Sequence, residues 1–215
     1  MEETFLIVGL GNPGKDYAAT RHNVGFMVIN RLAKRLGVEW EASKKFTARL
    51  AKGRQDGNTV FLSKPQGFMN LSGQSVAPLA QYYQIPNGRV MVVVDDLDLP
   101  PGTIRIRGQG SSGGQKGLED IISALGTQKV ARCRIGIGRP EAGQDVSEHV
   151  LERPEGPQKH DLERSLARAT ESVLCWLVEG VMNAARRYNG PLPEPEIEIP
   201  EGLNDVGLTD TGTEQ

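Results

Sequence analysis

Two short, almost wholly apolar runs constrain this chain most: Phe5 to Gly9, and Val90 to Val94, which ends abruptly at Asp95-Asp96-Leu97-Asp98. A run without polar alternation reads as a strand buried on both faces, so helices must cover both sides of the sheet that contains it. The covering helices are visible as periodic segments. Val24, Val28, Leu32 and Leu36 recur every four residues up to Gly37, and Val76, Leu79, Ala80 and Tyr83 share a face in 71–83. Another helix leads from the glycine-rich loop Gly108 to Gly114 toward Leu125, and Leu162 to Ala184 marks a long amphipathic one. Further strands are expected at 47–52 and 60–64, joined by the turn Asp56-Gly57-Asn58. Two more are expected at 103–107, after Pro100-Pro101-Gly102, and at 131–137. Strands alternating with helices, plus one hairpin, predict a single α/β domain whose central mixed, twisted sheet is flanked by helices.

The domain is expected to span residues 1–189. Residues 190–215 are rich in proline and hold seven acids and no Lys or Arg, the composition of a disordered tail. The formal charge of -2 therefore hides a basic body: removing those seven from the 27 acids leaves 20 against 25 bases. Such a body is compatible with an anionic partner. The two cysteines, Cys133 and Cys175, lie in apolar surroundings and suit a reducing compartment. Neither a signal-peptide pattern nor an apolar run of membrane-spanning length is present, which points to a cytoplasmic protein.

Chemistry concentrates in the stretch from Val8 to Phe26. Gly9-Leu10-Gly11-Asn12-Pro13-Gly14 has the spacing of a dinucleotide fingerprint. Pro13 removes an amide from it, the helix is delayed to about Asn23, and no acid ends a second strand about 20 residues on. His22 stands just before the first helical turn, where the positive end of the helix dipole helps keep an imidazole neutral. A neutral imidazole can act as a general base toward water. Asp95 ends a central strand, where ligands of α/β sheets gather. If the strands starting at Phe5 and Val90 are neighbours, Asp95 can orient that ring. Turn chemistry before Pro100 is the alternative for the acids 95, 96 and 98, and capping is the alternative for Phe68-Met69-Asn70. Arg105, Arg107 and Arg134 project from strands near the glycine loop as a phosphate-binding patch, or else as a solvated strand face. Metal-ligand spacing is not evident, so neither metal nor organic cofactor is expected.

These motifs together resemble the bacterial-type peptidyl-tRNA hydrolase family: Val8 to Gly14, Tyr17, Thr20-Arg21-His22-Asn23 with Gly25, Phe68 to Gly73, Asp95 to Gly102 and Arg134 to Gly138. The resemblance runs in order from about Phe5 to about Tyr188. It implies a monomeric α/β globule that hydrolyses the ester between a peptide and the 3′-terminal ribose of tRNA. By motif, His22 corresponds to the base and Asp95 to the carboxylate that orients it. Asn12 and Asn70 correspond to amides holding the peptide and the 3′ end, with Phe68 and Met69 as an apolar wall and Tyr17 at the cleft. Arg107 and Arg134 fall where the family clamps a phosphate, with Arg105 a weaker member. One departure is Gly113-Gly114-Gln115-Lys116-Gly117, where many members read Gly-Gly-His-Asn-Gly. Lys116 donates but cannot accept, so it suits tRNA phosphates or a developing oxyanion better than a water-holding role. A non-catalytic RNA-binding protein of splicing-factor type on the same scaffold is the alternative, and a dinucleotide-dependent oxidoreductase is the third reading.

Overall fold

The computed structural model describes residues 2–192. Four parallel strands form the centre of one sheet in the order β4 (Asn58–Pro65), β1 (Thr4–Gly9), β5 (Val90–Asp96) and β7 (Ala131–Gly136). Strand β3 (Ala48–Gln55) joins β4 as an antiparallel hairpin, and β6 (Thr103–Arg107) runs antiparallel to β7. The hairpin turn has positive φ at both Asp56 and Gly57, the two-residue turn that matches the twist of paired strands. At the edges are β2 (Glu41–Ser43), which the sequence pattern did not signal, and β8 (Gly190–Pro191) against β6. The chain is thus still part of the sheet at 190–191, where the sequence pattern places the start of the tail. Residues 193–215 of that tail lie outside the described residues.

The side chains of β1 divide between two cores, Phe5 and Ile7 on one face and Leu6 and Val8 on the other. On β5, Met91 and Val93 face the first core and Val90, Val92 and Val94 the second. Each fully buried aliphatic side chain stabilises by roughly 1.5–3 kcal/mol, so neither face of these strands can be left uncovered. Helices α1 (Val24–Leu36) and α5 (Gly156–Tyr188) cover the first face, and α2 (Gly73–Tyr82) and α3 (Lys116–Leu125) the second. The period-2 rule then decides the site, because Asp95 continues the Met91–Val93 series toward α1 while Asp96 continues the other.

Helix α1 sits directly on the ends of β1 and β5. A Cβ on Gly25 would lie 2.4 Å from the backbone N and O of Leu10 and the O of Val93, and one on Gly9 would lie 2.3 Å from Gly25 O. Only two facing glycines allow this approach. Two further features lay outside the sequence pattern: helix α4 (Val146–Leu151), and an interruption of α5 at Gly180, where φ is 81°.

Candidate active site

Strands β1 and β5 are parallel neighbours, with Gly9 opposite Val93, so their carboxyl ends meet. The chain passes from β1 to β4 on one side and returns through α2 to β5 on the other. This reversal of direction leaves a crevice at the carboxyl ends of the strands, the place where α/β sheets hold ligands. His22 enters it from a single 3-10 turn, Arg21–Asn23, ahead of α1. Its Nδ1 lies 2.7 Å from Asp95 Oδ2. The carboxylate side chain is 6% exposed and the imidazole 18%.

Nδ1–H donating to the carboxylate fixes the tautomer and leaves Nε2 as an acceptor. Burial by itself would lower the pKa of His22, but the hydrogen bond to Asp95 and the charge of that carboxylate outweigh it, and the net shift is upward. The full charge of the carboxylate in direct contact opposes the partial charge of the helix terminus, which favours the neutral ring.

The loop after β1 is pinned by a residue to which the sequence motifs gave no role. Asn23, 1% exposed, accepts from Asn12 N–H through Oδ1 at 2.7 Å and donates from Nδ2 to Asn12 O at 2.9 Å. The Asn12 backbone is thereby fixed, while its side-chain amide makes no hydrogen bond to another described residue. Asn70, in the 3-10 turn Met69–Leu71, is exposed and likewise unengaged. Phe68, 79% exposed, precedes it, and Met69 packs against the start of α3, where a Cβ on Gly117 would lie 2.6 Å from its Sδ. Tyr17 is 38% exposed on the loop between β1 and α1. Lys116 is the exposed first residue of α3.

The three predicted arginines separate into two groups. Arg105 and Arg107 are exposed on β6, whereas Arg134 is 8% exposed and committed within the fold. Its guanidinium donates to Asp96 at 3.1 Å and to the backbone oxygens of Ser111 and Ser112 at 3.3 and 2.6 Å, holding the glycine loop. Arg132, opposite Arg107 across the strands, is 1% exposed and bonded to Ser111 O and Val130 O. Burial first, and then the charges of Arg134 and Arg107, push its pKa down to about 10. A cleft of about 180 Å³ lies among these four arginines, Asp96 and the glycine loop. Crowded cations that depress one another favour an anion between them.

Arg21, adjacent to His22, ties the turn Arg21–Asn23 to the C-terminal third of the domain. Its guanidinium donates to Glu152 at 2.9 Å, His149 O at 3.2 Å and Gln158 at 2.7 Å, and its N–H donates to Glu152 O. A larger cavity, about 760 Å³, opens beside it between α4 and the start of α5. Among the described residues no group of three or more His, Cys, Asp or Glu is placed to hold a metal ion.

The fold and site together define the class: an α/β/α sandwich that carries a histidine–carboxylate pair at the reversal point of its sheet, beside an arginine-lined cleft. Comparison with known proteins narrows it. The family model for peptidyl-tRNA hydrolase matches residues 6–196. The chain is 47% identical over 186 residues to the peptidyl-tRNA hydrolase of Caldanaerobacter subterraneus subsp. tengcongensis, covering 86% of this chain and all of that one. It is 47% identical over 191 residues to that of Herpetosiphon aurantiacus, covering 88% and 92%. The crystal structure of the peptidyl-tRNA hydrolase from Acinetobacter baumannii superposes with a TM-score of 0.83 at 38% identity, covering 90% of this chain and 98% of that one. The chain belongs to the peptidyl-tRNA hydrolase family.

Proposed function

We propose that this protein hydrolyses the ester between peptide and tRNA in peptidyl-tRNA, with His22 as general base and Asp95 as its orienting carboxylate. The observation that carries the assignment is the 2.7 Å contact between His22 Nδ1 and the buried Asp95 carboxylate. Nε2 takes a proton from a water molecule as the water oxygen attacks the ester carbonyl. The resulting tetrahedral oxyanion needs donors, which the unengaged amides of Asn12 and Asn70 and the charge of Lys116 can supply. Collapse breaks the bond to the ribose oxygen, which recovers the proton from Nε2, releasing tRNA and the peptide's carboxylic acid, which gives its proton to solvent. Phe68, Met69 and Tyr17 flank the peptide with apolar and half-exposed side chains. Arg105 and Arg107 face an RNA phosphate, while Arg134 supports that role by shaping the loop.

A non-catalytic RNA-binding protein has no need of a buried carboxylate that fixes an imidazole tautomer. Both members of the pair come from one chain, which supports a site complete in a monomer, and a substrate of translation supports a cytoplasmic protein. Among the described residues no helix is long and apolar enough to cross a membrane. In an assay with N-acetyl-aminoacyl-tRNA, His22→Ala is expected to lower kcat by about 10²–10⁴, the usual worth of a general base. Its tRNA affinity should be retained. Near-normal hydrolysis by that variant would overturn the mechanism.

A further inference from the structure

The carboxylate that orients His22 has a second oxygen, and its partner points to a positioning residue. Gln115 Nε2 lies 3.3 Å from Asp95 Oδ1. At its other end, Gln115 is the N-cap of α3, where its Oε1 accepts from Leu118 N–H at 2.8 Å. This second contact fixes which way the amide faces. Leu118 N–H can only donate, so the atom toward it must be the oxygen, and the nitrogen is left facing a carboxylate that can only accept. Both ends of Gln115 are thus satisfied in one orientation and mismatched in the other. Nε2 also lies 3.6 Å from Met69 Sδ, which closes the side of the bridge.

We propose that Gln115 is a positioning residue for hydrolysis, acting through Asp95. It relays the fixed N-terminus of α3 to the carboxylate, holding Oδ1 so that Oδ2 stays aimed at His22 Nδ1. Without it the carboxylate loses its second partner and its rotational anchor, in a site too buried for water to replace them freely. An amide does not titrate, so this hold is the same across the working pH range. The other charged groups on the surrounding elements are already engaged or exposed. Asp96 pairs with Arg134 and Arg21 with Glu152, while Lys116 faces solvent. None of them is hydrogen-bonded to Asp95 or His22.

The inference rests on the general-base reading of His22, and the test separates the two. Gln115→Glu keeps an oxygen to cap Leu118 N–H but turns the donor facing Asp95 into a second carboxylate. The second negative charge beside Asp95 favours the imidazolium, so the His22 titration followed by NMR should move to higher pH. Only three histidines are present, which makes the resonance assignable. The acid limb of kcat/KM should move with it, and Tm should fall as two carboxylates meet in a buried site. Gln115→Ser retains a short N-cap that cannot reach Asp95, and should lower kcat roughly tenfold, the worth of a hydrogen bond to a charged group, with little change in KM. If Gln115 only capped α3, Gln115→Ser, which retains the cap, would keep the native His22 titration and kcat, and that result would overturn the proposal. Failure of the general-base reading would show instead as an active His22→Ala, and would leave the NMR result of Gln115→Glu unaffected.

Discussion

Replacing Asp95 by Asn preserves the shape of the side chain and removes its charge, and the two contacts of the carboxylate set the size of the effect. It accepts twice, from His22 at 2.7 Å and from Gln115 at 3.3 Å. An amide has one acceptor and one donor, so it cannot serve both. If its oxygen turns to Gln115, its NH₂ faces His22 Nδ1. The ring must then carry its proton on Nε2, the nitrogen that has to take a proton from water. If its oxygen turns to His22, the new NH₂ meets the NH₂ of Gln115, donor against donor, in a buried site. Either arrangement forfeits a charge-assisted hydrogen bond of about 1.5–3 kcal/mol, and the first also removes the base. The expected fall in kcat is about 10²–10⁴ with KM little changed. The charge effect has a definite sign. Asp95 supplies both influences that raise the pKa of His22, and burial, which lowers it, would remain. A general base works with the ring neutral, so on the proposed mechanism the rate should fall as pH drops through a value above that of free imidazole. In Asp95→Asn that limb should move to lower pH. Initial rates on N-acetyl-aminoacyl-tRNA across pH, with ¹⁵N NMR of the imidazole to read the tautomer, test both parts. A loss below about tenfold, equivalent to about 1.4 kcal/mol, would refute the reasoning.

The packing and the charges lead to two further expectations. Gly25→Ala places a methyl 2.4 Å from three backbone atoms that cannot give way as a side chain would. It should cost about 1–3 kcal/mol, several degrees in Tm, and reduce hydrolysis by shifting α1 and His22 from Asp95; a native Tm and rate would contradict the close contact. The double variant Arg105→Ala with Arg107→Ala should lower the slope of log affinity for tRNA against log salt by about 2, as two lost phosphate contacts require, and spare cleavage of a small ester analogue. An unchanged slope would move the phosphate site elsewhere.

Much of the fold was legible in the chain because its signals are local. The apolar runs at Phe5 and Val90 needed no partner to declare burial on both faces, and Asp56-Gly57 declared its turn through the φ angles it tolerates. The edge strand Glu41–Ser43 was not legible, since three polar or small residues carry no burial pattern and are held only by pairing with β3. The motifs named the residue types of the site and paired His22 with Asp95. The other hydrogen-bond partners were not legible, because they lie far away in sequence. His22 and Asp95 are 73 residues apart, and meet only because β1 and β5 are neighbours and Asp95 falls on the face toward α1. Arg134 looked like a free cation until the sheet placed Asp96 and the Ser111–Ser112 backbone against it. Gln115 looked like a departure from a motif until α3 turned its amide toward Asp95. Sequence alone thus determined the α/β architecture and the inventory of chemical groups, since periodicity and turn preference are properties of neighbouring residues. Tertiary structure decided the distance at which Asp95 meets the histidine, which arginines remain available and which amides are fixed, because strand order and helix seating set distances that no local pattern encodes.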